Sequence, residues 1–518
     1  MNVLRGPRRG IAWLLIAALV TALAAGAVTV RAATTGWKGE AIVSSPSIGD
    51  GWEPAIAADP SSAYVYTAWM QYSGPSIYIY YRASTDGGTT WQPAARLCSS
   101  CGKGEYDVTL FVTSSGTVYG TFMQGNHIQF TTSSNHGTTW SAPQQISQGT
   151  WADKPWMTAS ANGTDVYCWW SSHGNVDVVE SHNSGATWTA PAQITSESNI
   201  YYYPNGGTVL PNGTAVMGAS EYPEKGNNTK LTGPINIAVF RTTNGGTTWS
   251  RTVADTLNTG ATFATSSVTT VASDANGNLL LLYSGSLSVG ANGKVYVRRS
   301  TDSGATWSAR TEMTTSAGGA DATSVAAAGN GNEIAITWMD ARTGAFNVWE
   351  RQSTDGGQTW TADAKVSDAT SGASYKTANG FGLPYGDYDT VAINNSGKVV
   401  AVMGEGDSSQ IHGDIWENRQ LRAETSPTRS SSRASAARSA FRPASRSWPR
   451  AAPRSMRSRL RCGRSSPIRT ITSSASAAFP TCSGWSSWTP PSWTATRALP
   501  VRWRRCTGTP IRSQSPAG

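Results

Sequence analysis

The chain has 518 residues, only 14% of them charged, with 53 Gly and 22 Trp; this balance excludes a helical bundle and fits a many-stranded, turn-rich architecture. Its formal net charge of +9 is unevenly placed. Residues 421–518 hold 18 Arg, no Lys and the single acid Glu424, which leaves −8 on residues 1–420, so the body has no basic field to attract nucleic acid or an anionic surface.

In chain order, Arg5, Arg8 and Arg9 precede an apolar run from Ile11 to Val30, and the small residues Ala32 and Ala33 follow. This is the layout of an export signal over residues 1–33, cleaved near Ala32. A run of ~20 apolar residues also suffices to cross a bilayer, so retention as an N-terminal anchor is the alternative, and any membrane attachment would come through that segment alone. Both readings place residues 34–420 in a secreted or extracytoplasmic setting.

The body then repeats. A motif of the form Ser/Thr-x-Asp/Asn-x-Gly-x-Thr-Trp occurs six times, starting at Ser84, Ser133, Ser181, Thr242, Ser300 and Ser353, at separations of 49, 48, 61, 58 and 53 residues. Such spacing allots one four-stranded propeller blade to each copy. Within the motif, Asp86, Asn135, Asn183, Asn244, Asp302 and Asp355 are expected to accept backbone N–H bonds two residues on, Gly takes a positive φ, and Trp91, Trp140, Trp188, Trp249, Trp307 and Trp360 pack on the blade. Asp and Asn alternate at one position, so the role needs no charge, and these residues are structural rather than catalytic.

Around each motif the chain reads as short strands. In the first unit they are Pro54 to Ala58, Ala63 to Gln71, Ser76 to Ala83 and Gln92 to Cys98. A second-strand pattern ending in Trp recurs at Val65 to Trp69, Val166 to Trp170 and Ile334 to Trp338. Cys98 and Cys101 form the one close cysteine pair; in an exported chain they are expected as a local loop disulfide, and Cys168 as a small buried residue.

After the sixth motif, Tyr388 to Ile393, Val399 to Met403 and Asp414 to Trp416 supply three strands without a motif, and Thr35 to Ser44 mimics the segment that follows each motif. An N-terminal strand lent to the last blade would close the ring and remove the sheet edges. Seven blades are therefore predicted, with six as the alternative. From residue 421 the pattern gives way to Arg, Ser, Pro and Ala, a composition expected of a disordered tail or an out-of-frame segment.

The six motifs resemble the Asp-box, or BNR, repeats of the sialidase superfamily, and the resemblance covers residues 34–420. It implies an all-β propeller and a glycan as partner. An enzyme of sialidase type would need three arginines on the substrate carboxylate, a Tyr nucleophile with a Glu partner, and an Asp acid/base. Arg82, Arg241, Arg298, Arg299 and Arg351 instead lie in third strands just before motifs, and only Arg342 is placed for the face opposite the motifs.

That face does hold acids and aromatics. The candidate catalytic residues are Glu53, Asp107, Asp153, Asp387 and Tyr388, and the candidate substrate-binding residues are Arg342, Tyr106, Trp156, Tyr202 and Tyr385. Convergent carboxylates among aromatics suit neutral sugars and could hydrolyse a glycosidic bond; they could also ligate a structural calcium, although no cofactor is required. The functional expectation is a monomeric propeller that binds or hydrolyses glycans, with a non-catalytic interaction propeller and an exo-alpha-sialidase as alternatives.

Overall fold

A computed structural model describes residues 36–149, 151–223, 234–258, 269–314, 323–343, 346–367, 389–406 and 413–421. The leader, the tail beyond Leu421, and Tyr385, Asp387 and Tyr388 lie outside them. The described residues form strands and turns without a helix, arranged as seven four-stranded antiparallel sheets. This is a seven-bladed β-propeller, as the count of six motifs plus one unmarked unit predicts.

The inner strands of blades 1 to 7 are Gly51–Ala58, Glu105–Val112, Asp153–Ala159, Ile200–Val209, Thr269–Ser273, Thr323–Asn330 and Thr390–Ile393. Blade 7 takes its outer strand from the N-terminus: Ala41 pairs with Glu417 and Ile42 with Trp416, and a bridge joins Trp37 to Gln420. The ring thus closes by hydrogen bonds between the two ends of the body, which removes an exposed sheet edge.

The outer strand expected over Gln92 to Cys98 is only Ala95–Arg96, paired with Tyr81 and Tyr80. In three blades Pro93, Pro143 and Pro191 precede these short outer strands, and a residue without an N–H cannot extend the ladder. Blades 4, 5 and 6 have no such proline: blade 4 carries an eight-residue outer strand, Ser250–Leu257, whereas blades 5 and 6 keep two-residue ones, Thr311–Glu312 and Ala364–Lys365, so the proline is not the sole determinant of length.

The repeated motif is a hydrogen-bonded turn between third and fourth strands. Asp86 Oδ1 accepts the N–H groups of Thr89 at 3.0 Å and Thr90 at 2.8 Å, and the Ser84 hydroxyl accepts the Gly88 N–H at 2.8 Å. The carboxylate therefore reaches three and four residues on, not two, because the serine hydroxyl takes the tighter position. In the Asn versions the polarity of one bond reverses: Thr90 Oγ1 donates to Asp86 Oδ2, whereas Asn135 Nδ2 donates to Thr139 Oγ1 at 2.8 Å. Gly88 and Gly137 sit at φ +86° and +80°, where a side chain is strained.

The core lies between blades. Trp69, Trp170 and Trp338, at one position of three second strands, are fully buried. Trp169 packs with Met217 and Phe240 of the next blade, and Trp69 and Ile56 pack with Val400 and Ile415 of blade 7, so the closing interface is as apolar as the others. Blade-on-blade burial of this kind fixes the inner strands around one axial channel.

Candidate functional site

The turns between second and third strands, and the starts of the inner strands, form the face opposite the six motifs. Three successive inner strands bulge there at one register, between Trp52 and Ala55, Tyr106 and Thr109, and Asp153 and Trp156. The first residue of each bulge has a left-handed backbone: Glu53 at φ 49°, Asp107 at 50° and Lys154 at 54°. Such conformations cost of order 1–3 kcal/mol each in a residue with a side chain, and they persist where the surrounding structure over-determines them.

The three side chains converge. Lys154 Nζ lies 3.6 Å from Asp107 Oδ1 and 4.0 Å from Glu53 Oε1, with side-chain exposures of 15%, 9% and 8% for Lys154, Asp107 and Glu53. One ammonium thus sits between two largely desolvated carboxylates. The sum of those distances caps the separation of the two oxygens at a value that admits either carboxylate spacing used in glycoside hydrolysis, ~5–5.5 Å for retention or the lower part of ~6.5–9.5 Å for inversion.

Aromatic rings surround the cluster. The ammonium of Lys154 lies 5.9 Å from the ring centre of Tyr203, and the rings of Trp52 and Tyr72 meet at a 55° tilt with centroids 5.2 Å apart. Trp156 is half-buried and lines the channel. Tyr106 is half-buried between blades 1 and 2, and its hydroxyl is pushed up by burial and then by the adjacent Asp107 charge, so it stays a neutral donor.

A second layer holds the Asp107 strand in place. Glu105 is buried and accepts the Ile79 N–H at 2.7 Å and Arg96 Nη2 at 2.9 Å; burial nevertheless leaves its carboxyl above the usual range. Arg96 also donates to the Cys101 carbonyl at 3.1 Å, and Cys101 is disulfide-bonded to Cys98. The loop disulfide and the site strand are therefore tied through one guanidinium.

The remaining sequence candidates are placed differently. Asp153 is half-buried one residue before Lys154, and its backbone pairs with Ser171. Tyr202 is fully buried against Phe240, and its hydroxyl donates to Glu197 at 2.6 Å. Arg342 lies between Asp340, at 2.5 Å, and Asp363, and its guanidinium covers Trp349 at 4.1 Å. Its donors serve two of the protein's own carboxylates, and among the described residues no arginine lines the channel. Asp387, Tyr388 and Tyr385 lie outside the described residues.

Sequence reasoning passed over Lys154. The signal was available: counting back from the turn that closes each inner strand aligns Lys154 with Glu53 and Asp107. Asp389, at the start of the blade 7 inner strand, is buried beside the channel, and burial holds its carboxyl well above the usual range. Among the described residues no three His, Cys, Asp or Glu side chains gather as a metal ion would require.

The fold and this cluster together define a seven-bladed propeller with an acid–base–acid group at one mouth. No family model matches the sequence, and no curated protein matches it. Among solved structures the chain is similar to a protein of unknown function from Dyadobacter fermentans, at 13% identity and a TM-score of 0.43 over 75% of this chain and 98% of that one. It is also similar to a Hadza microbial sialidase, at 14% identity and 0.41 over 70% and 75%. A third is an ulvan lyase, a polysaccharide lyase, at 11% identity and 0.45 over 71% and 94%.

Proposed function

We propose that this is an exported, glycan-acting propeller whose substrate binds at the mouth opposite the turn motifs, with Glu53 and Asp107 as the pair of carboxylates for glycosidic bond hydrolysis. The observation that carries the reading is the convergence of Glu53, Asp107 and Lys154 from three adjacent inner strands, each held at positive φ. Strained, charged and sparingly exposed residues at one end of a channel, ringed by aromatics, suit a polar ligand with flat apolar faces. In the hydrolytic step one carboxyl protonates the leaving oxygen while the other attacks the anomeric carbon or activates water. Lys154 holds both in place and offsets their mutual repulsion. Export is supported by the basic and apolar leader and by the Cys98–Cys101 disulfide, which suits an oxidising compartment.

The test is a screen of fluorogenic glycosides, sialosides among them, with the full chain and its Glu53→Gln and Asp107→Asn variants. Turnover that falls by about 100-fold or more in a variant that keeps its melting temperature supports hydrolysis, since acid–base groups contribute ~100- to 10,000-fold. A second reading, a glycan-binding propeller without turnover, draws on the prior engagement of both carboxylates by Lys154. It would be marked by glycan-array retention that Lys154→Met abolishes, with every glycoside left intact. Absence of both turnover and retention overturns the proposal.

A further inference from the structure

Seven non-glycine residues among those described hold a left-handed backbone, and they divide by face. His136, Ser184 and Ser303 fill one place in the turn motif, where the other three copies carry Gly87, Gly245 and Gly356. The remaining four, Glu53, Asp107, Lys154 and His173, all lie on the mouth face. The first three of these are the charged cluster, and His173 stands apart from it.

His173 opens the turn from the second to the third strand of blade 3, between the paired residues Ser172 and Asn175. The same place in blades 1 and 2 is also left-handed, and there the residue is glycine: Gly74 at φ 57° and Gly125 at 60°, against 52° for His173. Blade 3 thus keeps a side chain where its neighbours avoid the strain, and that side chain is exposed. Its ring centre lies 6.3 Å from that of Trp151, with 33° between the planes.

The turn is wedged between two strand starts. On one side the Ser172 hydroxyl donates to the Trp151 carbonyl at 3.4 Å. On the other the Tyr202 N–H donates to the Gly174 carbonyl at 2.8 Å, and a Cβ on Gly174 would come within 2.8 Å of the Tyr201 ring. Trp151 and Tyr201 are half-buried. Tyr201 packs beside Tyr203, whose ring centre is 5.9 Å from Lys154 Nζ. Aromatic rings therefore run from the charged cluster to the rim across blades 3 and 4. Trp151 is three residues before Lys154, its Cα no more than about 11 Å away, a separation that neighbouring sugars of one chain can span.

We propose that Trp151, His173 and Tyr201 form a stacking subsite for the sugar next along the chain from the one at Glu53 and Asp107. Rings that are part buried and part wet suit the C–H face of a pyranose whose hydroxyls stay in water. The inference rests on the glycan reading of the mouth and deepens it: the ligand is an oligosaccharide that crosses the rim, rather than a single terminal sugar. The strain at His173 is retained because its ring supplies part of that platform.

The test is calorimetric titration of the full-length protein at pH 7 with cellohexaose, mannohexaose and chitohexaose, and with glucose, mannose and N-acetylglucosamine, for wild type, Trp151→Ala, His173→Gly and Lys154→Met, with KM read instead where an oligosaccharide is cleaved. At least one hexasaccharide is expected to bind about tenfold or more tightly than its monosaccharide. Trp151→Ala and His173→Gly should each weaken that hexasaccharide roughly fivefold or more, with kcat unchanged where there is turnover. Glycine suits a left-handed turn position, so His173→Gly should hold or raise the melting temperature, and its loss of affinity reports the ring alone. Hexasaccharide affinity within about twofold of wild type in either variant overturns the inference. If affinity is at the same time lost in Lys154→Met, the mouth reading stands and the platform falls. Failure of every hexasaccharide to bind at millimolar concentration also overturns the inference, and glycan-array retention by the same protein would leave the mouth reading standing.

Discussion

Replacing Lys154 by Met removes one charge and little volume, and it isolates the interaction on which the mouth depends. Two unit charges about 4 Å apart attract by roughly 4 kcal/mol at an effective dielectric near 20, and Lys154 has two carboxylates at 3.6 and 4.0 Å. The gross attraction is offset by desolvation of all three groups, which are 15% exposed or less. Removing one partner of a buried pair leaves an uncompensated charge and typically costs about 3–5 kcal/mol. We expect Lys154→Met to destabilise by about 3 kcal/mol at pH 7 in urea unfolding, with the slope unchanged. Adding Asp107→Asn to the same chain removes the repulsion left behind, so the double variant should recover at least about 1 kcal/mol relative to the single one. A Lys154→Met variant within about 0.5 kcal/mol of wild type, the range of an ordinary surface change, would refute the argument, as would a double variant no more stable than the single.

Three further outcomes follow from other parts of the molecule. Asp302 is held at about 2 by hydrogen bonds from the Thr306 hydroxyl and N–H and from Ser300; a depressed carboxyl stabilises above its unfolded value and loses that contribution as pH falls through its folded one. The group is exposed and well screened, so Asp302→Asn should cost no more than about 0.5 kcal/mol at pH 7, and the difference should shrink between pH 4 and pH 2 in a denaturant series. Reducing the Cys98–Cys101 bond, which closes a loop with a sequence separation of 3, should remove roughly 2 kcal/mol and lower turnover through Arg96 and Glu105, read by melting temperature and activity with and without reductant. Trp69→Ala, at the fully buried position between blades 1 and 7, should cost about 3–5 kcal/mol in urea unfolding; a loss under 1 kcal/mol would mean the ring closes without that interface.

The fold was legible because its signals are local and repeated. Each motif needs only its own eight residues to form a turn, and six copies at blade spacing leave few other architectures. The lent strand was legible too, since Thr35 to Ser44 resembles the segments after Trp91 and Trp140. The site was legible in part. Glu53 and Asp107 could be named as candidates because acids at strand starts stand out in a chain with few charges, and the structure brings both to Lys154. Lys154 was missed because a bulge changes which way a strand residue faces, and neither the period of two nor composition marks a bulge. Arg342 was read as available because its neighbours in sequence are Asp340 and Ala341, whereas its second carboxylate, Asp363, comes from the outer edge of the blade. Tyr202 was taken for the mouth because it sits in a run of three tyrosines; only the register of its strand, Tyr202 opposite Glu221, puts its ring in the core.

The two faces of the ring are stabilised by different physics. On the motif face every turn spends its polar groups on its own backbone, so Asp86, Asp302 and Asp355 have their carboxylates occupied and little left for a ligand. On the opposite face the inner strands bulge, and charges cross from blade to blade: Lys154 of blade 3 reaches Asp107 of blade 2 and Glu53 of blade 1. A contact that spans three blades is sensitive to their spacing, which a single blade cannot set. The closing strand therefore bears on the mouth as well as on stability, because Ala41 and Ile42 fix blade 7, and Thr390 Oγ1 of blade 7 donates to the Pro54 carbonyl beside Glu53 at 3.3 Å. Thr390→Val should accordingly leave the melting temperature within the cost of one exposed-strength hydrogen bond, about 1 kcal/mol, while shifting KM or glycan retention. Unchanged glycan affinity in Thr390→Val would show that the Glu53 bulge holds its geometry without blade 7.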